Sequence, residues 1–431
     1  MSVLKENDLF LCKHDFLKTN IIMKYLSFLF LALSISFVNC DRNGDEPVGP
    51  DEPVIFPPVE QQGNIEDYQS MSVDYGLSMF QDVVGEGDEN VLISPYSLQS
   101  ALFMTMNGAK DETLEEFRTA LNTGDFYADG LRTYYEELAK KMIPSGDNTS
   151  FNSQNKIYYY PSFFTPDENY ISEIESFYSG TFSEEDFSDP GTVDVINGWV
   201  NDVTEGRIEK VLDQIQSDEA LFLINALVFT ADWSLGFEPN ATYDRPFTKM
   251  DGTEIEVPTM SSDDMRSYMQ NDYYSAIDLP VKDEDYAVTF ILPNELIEID
   301  DFVSTFDPFI YNEIYDNLQT DRVQLYLPKF ELATSMNMKD ILIERGMTKT
   351  FESADLSGMG QFAGNEYLTR VLHDVLIKVD EKGIEGAAVT TVGVGVESVP
   401  PTLVFNRPFV FVVRHVETRV PIFIGKVGDP L

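Results

Sequence analysis

Groups able to do acid–base, nucleophilic or metal chemistry near neutral pH are scarce here: 431 residues hold three histidines and two cysteines. Covalent catalysis needs a nucleophile beside a general base, and metal sites need clustered His, Cys or carboxylate ligands. His14, Cys12 and Cys40 all precede the apolar-rich body, which leaves His373 and His415. His373 sits inside a strand pattern, where a satisfied core histidine is the common case. The GxSxG, HExxH, phosphate-loop, dinucleotide-binding and EF-hand patterns are absent. Carboxylates are too plentiful to be informative at 74 Asp plus Glu, and Asp263–Asp264 and Asp283–Asp285 read as solvated loops. The expectation is a protein with no catalytic residue, no metal and no cofactor.

The distinctive chemistry is that of a backbone. Val371 to Pro401 reads VLHDVLIKVDEKGIEGAAVTTVGVGVESVPP. A strand pattern runs to Asp380, and Glu381–Lys382–Gly383 interrupts it. From Ile384 the even positions, Ile384, Gly386, Ala388, Thr390, Val392, Val394 and Val396, carry no charge. Among the odd positions only Glu385 and Glu397, at the two ends, are charged. Such a period of two leaves one face fit for burial. Pro400 and Pro401 stop any continuation. By pattern alone the segment is either a hairpin arm or surface loop, or a loop that can later become a central strand.

Other elements have to hold that segment. Ile65 to Val84 has helical spacing, and Asn90 to Ser94 predicts a short strand. A helix then opens at Pro95, with Ser94 and Ser97 as cap and turn residues. Helices are also predicted over Asp111–Leu121, Leu131–Met142, Glu168–Phe177, Met336–Arg345, and from Asn197 to about Glu205. Leu221 to Phe229, LFLINALVF, reads as a buried strand whose central Asn225 needs hydrogen-bond partners. Trp233 follows as a large plug with one donor to satisfy. Gln154–Tyr160, Glu254–Met260, Tyr274–Pro280, Tyr286–Leu292, Val323–Lys329, Leu403–Val413 and Pro421–Val427 complete the strand-like runs. Many strands after an N-terminal set of helices, without a repeat, predict one α+β domain.

A formal charge of −45 argues against nucleic acid, whose phosphates need basic partners. Met23–Lys24 and the apolar run Tyr25–Val38 resemble an export leader, with Met23 a candidate start. Cys40 ends that run and is the candidate lipid-attachment residue, the only membrane link expected. The acidic, Pro-rich stretch after it predicts an extended tether. The expected organisation is a leader over 1–39, a tether over 40–64 and one domain over 65–431. The protein is expected to be exported, as an outer-membrane or surface lipoprotein or else periplasmic or secreted, and monomeric.

EKGIEGAA, followed by FNRPFVFVV and PIFIGKVGDP, is similar to the hinge and C-terminal signature of serpins, and the resemblance spans roughly Ile65 to Pro430. It implies three β-sheets, eight or nine helices and an exposed reactive-centre loop, here about 381–401. It implies a suicide-type inhibitor of a serine or cysteine protease: the cleaved loop enters the main sheet and traps the acyl-enzyme. The alternative is a non-inhibitory serpin that acts as a binding or structural protein. By the same resemblance Ser94, Ser97, Asn197, Asn225 and His373 are shutter residues. Trp233, Lys329 and Glu381 belong to the breach, and Glu381, Gly383, Ile384, Gly386, Ala387 and Ala388 to the hinge. Twenty-five positions separate Glu381 from Asn406, as in inhibitory members, and sixteen positions beyond Glu381 is Glu397. The expected reactive bond is therefore Glu397–Ser398, with Val394 and Val396 as alternative cleavage positions. Ile384 and Gly386 depart from the usual hinge residues. Gly386, Gly393 and Gly395 each weaken strand ordering by roughly 0.5–1 kcal/mol relative to Ala.

Overall fold

Local signals set the first helices. Asn64 caps α1 (Ile65–Val84) reciprocally, its side chain accepting from the Asp67 N–H while the Asp67 carboxylate accepts from the Asn64 N–H. After β1 (Asn90–Ile93), Ser94 caps α2 (Pro95–Met106) by accepting from the Ser97 N–H, with Pro95 in the first turn. Every α2 residue except Ala101 is buried, which is why its sequence is apolar nearly all round. The computed structural model describes residues 64–85, 89–124, 126, 128–384 and 400–431, all within one compact unit.

The chain continues through α3 (Asp111–Ala120), α4 (Ala128–Lys141), β2 (Thr149–Tyr159), β3 (Phe164–Pro166), α5 (Glu168–Tyr178), β4 (Gly180–Glu184) and α6 (Thr192–Val203). Next come β5 (Leu221–Asp232), β6 (Tyr243–Thr248), β7 (Glu254–Gln270), β8 (Tyr274–Pro280) and β9 (Tyr286–Pro293). Two helices, α7 (Ile299–Thr305) and α8 (Pro308–Asp316), precede β10 (Gln319–Pro328) and β11 (Phe330–Asn337). The last helix is α9 (Lys339–Glu344), followed by β12 (Gly360–Phe362), β13 (Leu372–Val379) and the two-residue β14 (Gly383–Ile384). β15 (Thr402–Val404), β16 (Phe409–His415) and β17 (Pro421–Val427) close the fold.

The described residues thus form nine α-helices and three sheets in an α+β arrangement, as expected. One sheet has nine strands in the order β1-β17-β16-β9-β8-β7-β10-β15, with β6 beside β7. A six-stranded sheet runs β11-β13-β14-β5-β2-β4, and β12 pairs with β3. The main core lies between these layers; Tyr75, Phe80, Phe103, Phe290 and Phe411 are fully enclosed there.

Several elements differ from the sequence reading. Asp263–Asp264 lie within the 17-residue β7, paired with Gln324 and Val323, rather than in a loop. Cross-strand pairing and the Arg322 guanidinium, 2.7 Å from both Asp263 oxygens, support this polar stretch of strand. Thr149 and Ser150 open β2, against Ala231 and Thr230, so this strand begins before the expected Gln154. Met336 and Asn337 end β11, so α9 is shorter than predicted. Leu403–Val413 is two strands, broken around Arg407–Pro408. Most strand pairs are antiparallel, and β2–β4 and β10–β15 are parallel.

Candidate functional site

The six-stranded sheet is parted between β5 and β13. Among the described residues only β14 joins them, at the top: Ile384 pairs with Val379 on one side and Ala231 on the other. Below that rung no β-ladder joins β5 to β13 among the described residues. Two cavities occupy the parting, the upper one lined by Leu227, Phe229, Leu376, Ile377 and Ile384. The lower one is lined by Ser97, Asn225, Leu372 and His373.

The turn from β13 into β14 is held from several sides. Gly383 lies so close to β5 that a Cβ there would stand 1.9 Å from the Ala231 carbonyl oxygen, so only glycine fits. Ile384 is buried, in agreement with its apolar, β-branched character. The Trp233 ring is buried and its Nε1–H donates to the Asp380 carbonyl at 2.9 Å, while its backbone N–H donates to the Lys382 carbonyl at 2.8 Å. The Glu381 carboxylate lies 2.8 Å from Lys329 Nζ and accepts from the Thr242 hydroxyl at 2.8 Å. Burial alone would raise the Glu381 carboxyl, but Lys329, its own backbone N–H and Thr242 together hold it below the usual carboxylate range.

Beneath the sheet, buried polar groups form a chain that starts at the α2 cap. The Ser94 N–H donates to His373 Nε2 at 3.0 Å, so that nitrogen carries a lone pair and the ring is neutral. Burial pushes the His373 imidazole down to about 4. Ser94 Oγ accepts from the Ser97 N–H at 3.3 Å, and the Ser97 hydroxyl donates to Asn225 Oδ1. Asn225 Nδ2 donates to Asn155 Oδ1 at 2.7 Å and to Ser153 Oγ at 3.2 Å. Asn155 in turn donates to Ser100 Oγ at 3.1 Å and the Tyr178 carbonyl at 2.9 Å. Asn225 on β5 and His373 on β13 are thus both tied to α2, on opposite sides of the lower cavity.

Asn197 stands apart from that network. It donates to the Leu212 carbonyl at 2.8 Å and accepts from the Val211 and Leu212 N–H groups, pinning the segment after α6. Gly386, Ala387, Ala388, Val394, Val396, Glu397, Ser398 and Cys40 lie outside the described residues, as do the leader and nearly all of the tether. Sequence reasoning did not identify Ser100, Ser153, Asn155 or Thr242. Isolated polar residues in amphipathic strands, helices and loops carry no signal of their distant partners.

A parted sheet, a glycine-dependent rung beside Trp233 and a buried Ser–Asn–His network define the class. The serpin family model, "Serpin (serine protease inhibitor)", matches residues 70–430. A serpin-like protein of Methanosarcina acetivorans is 29% identical over 381 residues, covering 85% of this chain and 88% of the relative. The solved native state of the thermophilic serpin tengpin has a TM-score of 0.79 and 31% identity, covering 86% of this chain and 96% of tengpin. Tengpin in its latent state gives a TM-score of 0.74 at 30% identity, covering 85% and 99%. This chain belongs to the serpin family. Serpins carry no catalytic group of their own, and the chain is not an enzyme.

Proposed function

We propose that this serpin is a suicide-type inhibitor of a serine endopeptidase, with Glu397–Ser398 as the bond offered. A cysteine endopeptidase is the second target class. The observation that carries the reading is the Gly383–Ile384 rung: the chain entering the loop already occupies the first position between β5 and β13. Below it the sheet offers unladdered strand edges and apolar walls to an incoming strand with an uncharged face. The protease supplies the nucleophile, whose attack on the Glu397 carbonyl breaks the Glu397–Ser398 amide, forms an ester (a thioester for a cysteine enzyme) and leaves Ser398 with a free amine. Cleavage then frees the loop to add a strand's hydrogen bonds and burial, and inhibition results when insertion outruns deacylation.

Incubation with a panel of serine and cysteine proteases, read on a denaturing gel, tests this. A complex stable to SDS is expected, whereas clean cleavage without complex by every protease that cuts the loop would refute it. Mass spectrometry of the released C-terminal fragment should find Ser398 at its start. A fragment beginning at Glu397 or Gly395 would move the bond to Val396 or Val394. We also propose that Cys40 carries a lipid that tethers a monomeric inhibitor to the cell envelope. Metabolic labelling with a fatty-acid analogue should mark the wild type and not Cys40→Ser.

A further inference from the structure

The lower end of the parting is cross-linked. Arg370 lies just before β13 and Glu219 just before β5, 151 residues apart in the chain. The Arg370 Nη2 group donates to Glu219 Oε2 at 2.7 Å. Its Nε lies 2.7 Å from Oε1 without the alignment of a hydrogen bond. The Glu219 side chain is 1% exposed and that of Arg370 18%. Glu219 also accepts from the Gln216 N–H at 2.6 Å and the Thr369 hydroxyl at 3.2 Å. Arg370 donates to the Gln214 carbonyl at 2.9 Å and lies over the Phe222 ring. Beside the pair, the Tyr367 hydroxyl donates to Asp218 at 2.9 Å. Residues 214–222 thus form one wall and 367–370 the other.

The register at the top of the parting gives this cross-link a place in the reaction. Ile384 is opposite both Ala231 and Val379. Continuing both antiparallel ladders one for one, Val394 reaches Leu221, the first residue of β5, and Thr391 reaches Leu372, the first of β13. Two positions further along the β13 side, an inserted loop kept in that register would bring Gly393 opposite Arg370, and on the β5 side Val396 opposite Glu219. Glu397, through which an acylated protease would hang, is the next residue. A full strand between β5 and β13 requires them to stand about two strand spacings apart, close to 9.5 Å.

We propose that the Arg370–Glu219 pair is a positioning clasp that fixes the separation of β5 and β13 at the foot of the cleft and governs how fast the last loop residues seat. This rests on the inhibitor reading. The upper part of the loop enters between strands that Ile384 already holds apart. The final residues meet strands that are tied together, and seating them requires the buried ion pair to shift or break. The clasp therefore slows the final step and lets part of the acyl-enzyme deacylate, so each stable complex consumes more than one inhibitor molecule.

The test uses the full chain and the variant Arg370→Met/Glu219→Leu, which removes both charges together and leaves neither buried alone. Its partition ratio, inhibitor cleaved per stable complex formed, should fall by about fivefold wherever the wild-type ratio leaves that room, the change that a modest ion-pair contribution to the insertion barrier produces. The rate at which loop-nicked protein becomes heat resistant should rise by a similar factor. Arg370→Glu/Glu219→Arg restores a pair and should return both readouts toward wild type; it also serves if the apolar variant fails to fold. An unchanged partition ratio and rate in a folded apolar variant overturns the clasp alone. A wild-type protein that gains no heat resistance on nicking overturns the inhibitor reading and the clasp together.

Discussion

His373 is where one atom's protonation reports on the assembly around it. Its Nε2 accepts from the Ser94 N–H, a bond that a proton on that nitrogen would remove. Burial holds the folded ring near 4 against an ordinary value of 6.5. Between those values the unfolded chain binds a proton that the folded chain refuses, so this contribution is intact above pH 6.5 and is lost as pH falls toward 4. The loss is about 1.4 kcal/mol per pH unit, ~3 kcal/mol in all. Thermal or urea unfolding of wild type and His373→Gln, followed from pH 7 to pH 4, should therefore show the wild type's advantage shrinking by that amount. Subtracting the variant cancels the carboxylates and His415, and a difference independent of pH would contradict a neutral buried His373.

At the scale of elements, the proposed insertion begins at β14. Ile384 is 1% exposed, with backbone on both sides. Ile384→Arg puts a charge there at a desolvation cost of several kcal/mol if the guanidinium stays buried. The variant should fold with the rung displaced, be cleaved at the wild-type rate, and give at least tenfold less SDS-stable complex. A normal yield of complex would mean that insertion does not begin at Ile384. Much of this element was legible beforehand: a charge-free alternating face, a glycine after Glu381–Lys382, and a strand asparagine and histidine lacking apolar excuses. The clasp was not. Glu219 lies in an unremarkable acidic loop and Arg370 before a strand, and neither pattern nor spacing relates side chains that only the closed sheet brings together. β7 was only half legible for a related reason, because cross-strand partners such as Arg322 support acidic residues that lower strand propensity.

The proposed insertion would draw on the stability of the whole molecule. Among the described residues no ladder joins β5 to β13 below Ile384, and under the proposed mechanism a strand added there would make the fold more stable. Nicking between Thr391 and Glu397 should raise the melting temperature by more than about 10 °C, measured by calorimetry on intact and cut protein; equal temperatures would contradict insertion. Charge works at the same scale. With 29 basic against 74 acidic residues, the molecule should attract basic proteases at low salt, whereas Glu397, if it precedes the reactive bond as proposed, would disfavour any enzyme whose specificity pocket carries a carboxylate. Glu397→Arg should create inhibition of a trypsin-like protease, with an association rate that falls steeply as salt is added. An unchanged inhibition profile would place the reactive bond elsewhere.

Gly383 gives this design an evolutionary exposure. Its place against Ala231 tolerates no side chain at all, not even a methyl group. Each glycine codon is a single base change from an alanine codon, so one nucleotide separates a loop that starts into the sheet from one held out of it. If the chain traps proteases as proposed, a lineage released from that need could lose trapping in one step. Gly383 would then be one of the positions that selection must hold, and descendants that bind without trapping would be close mutational neighbours.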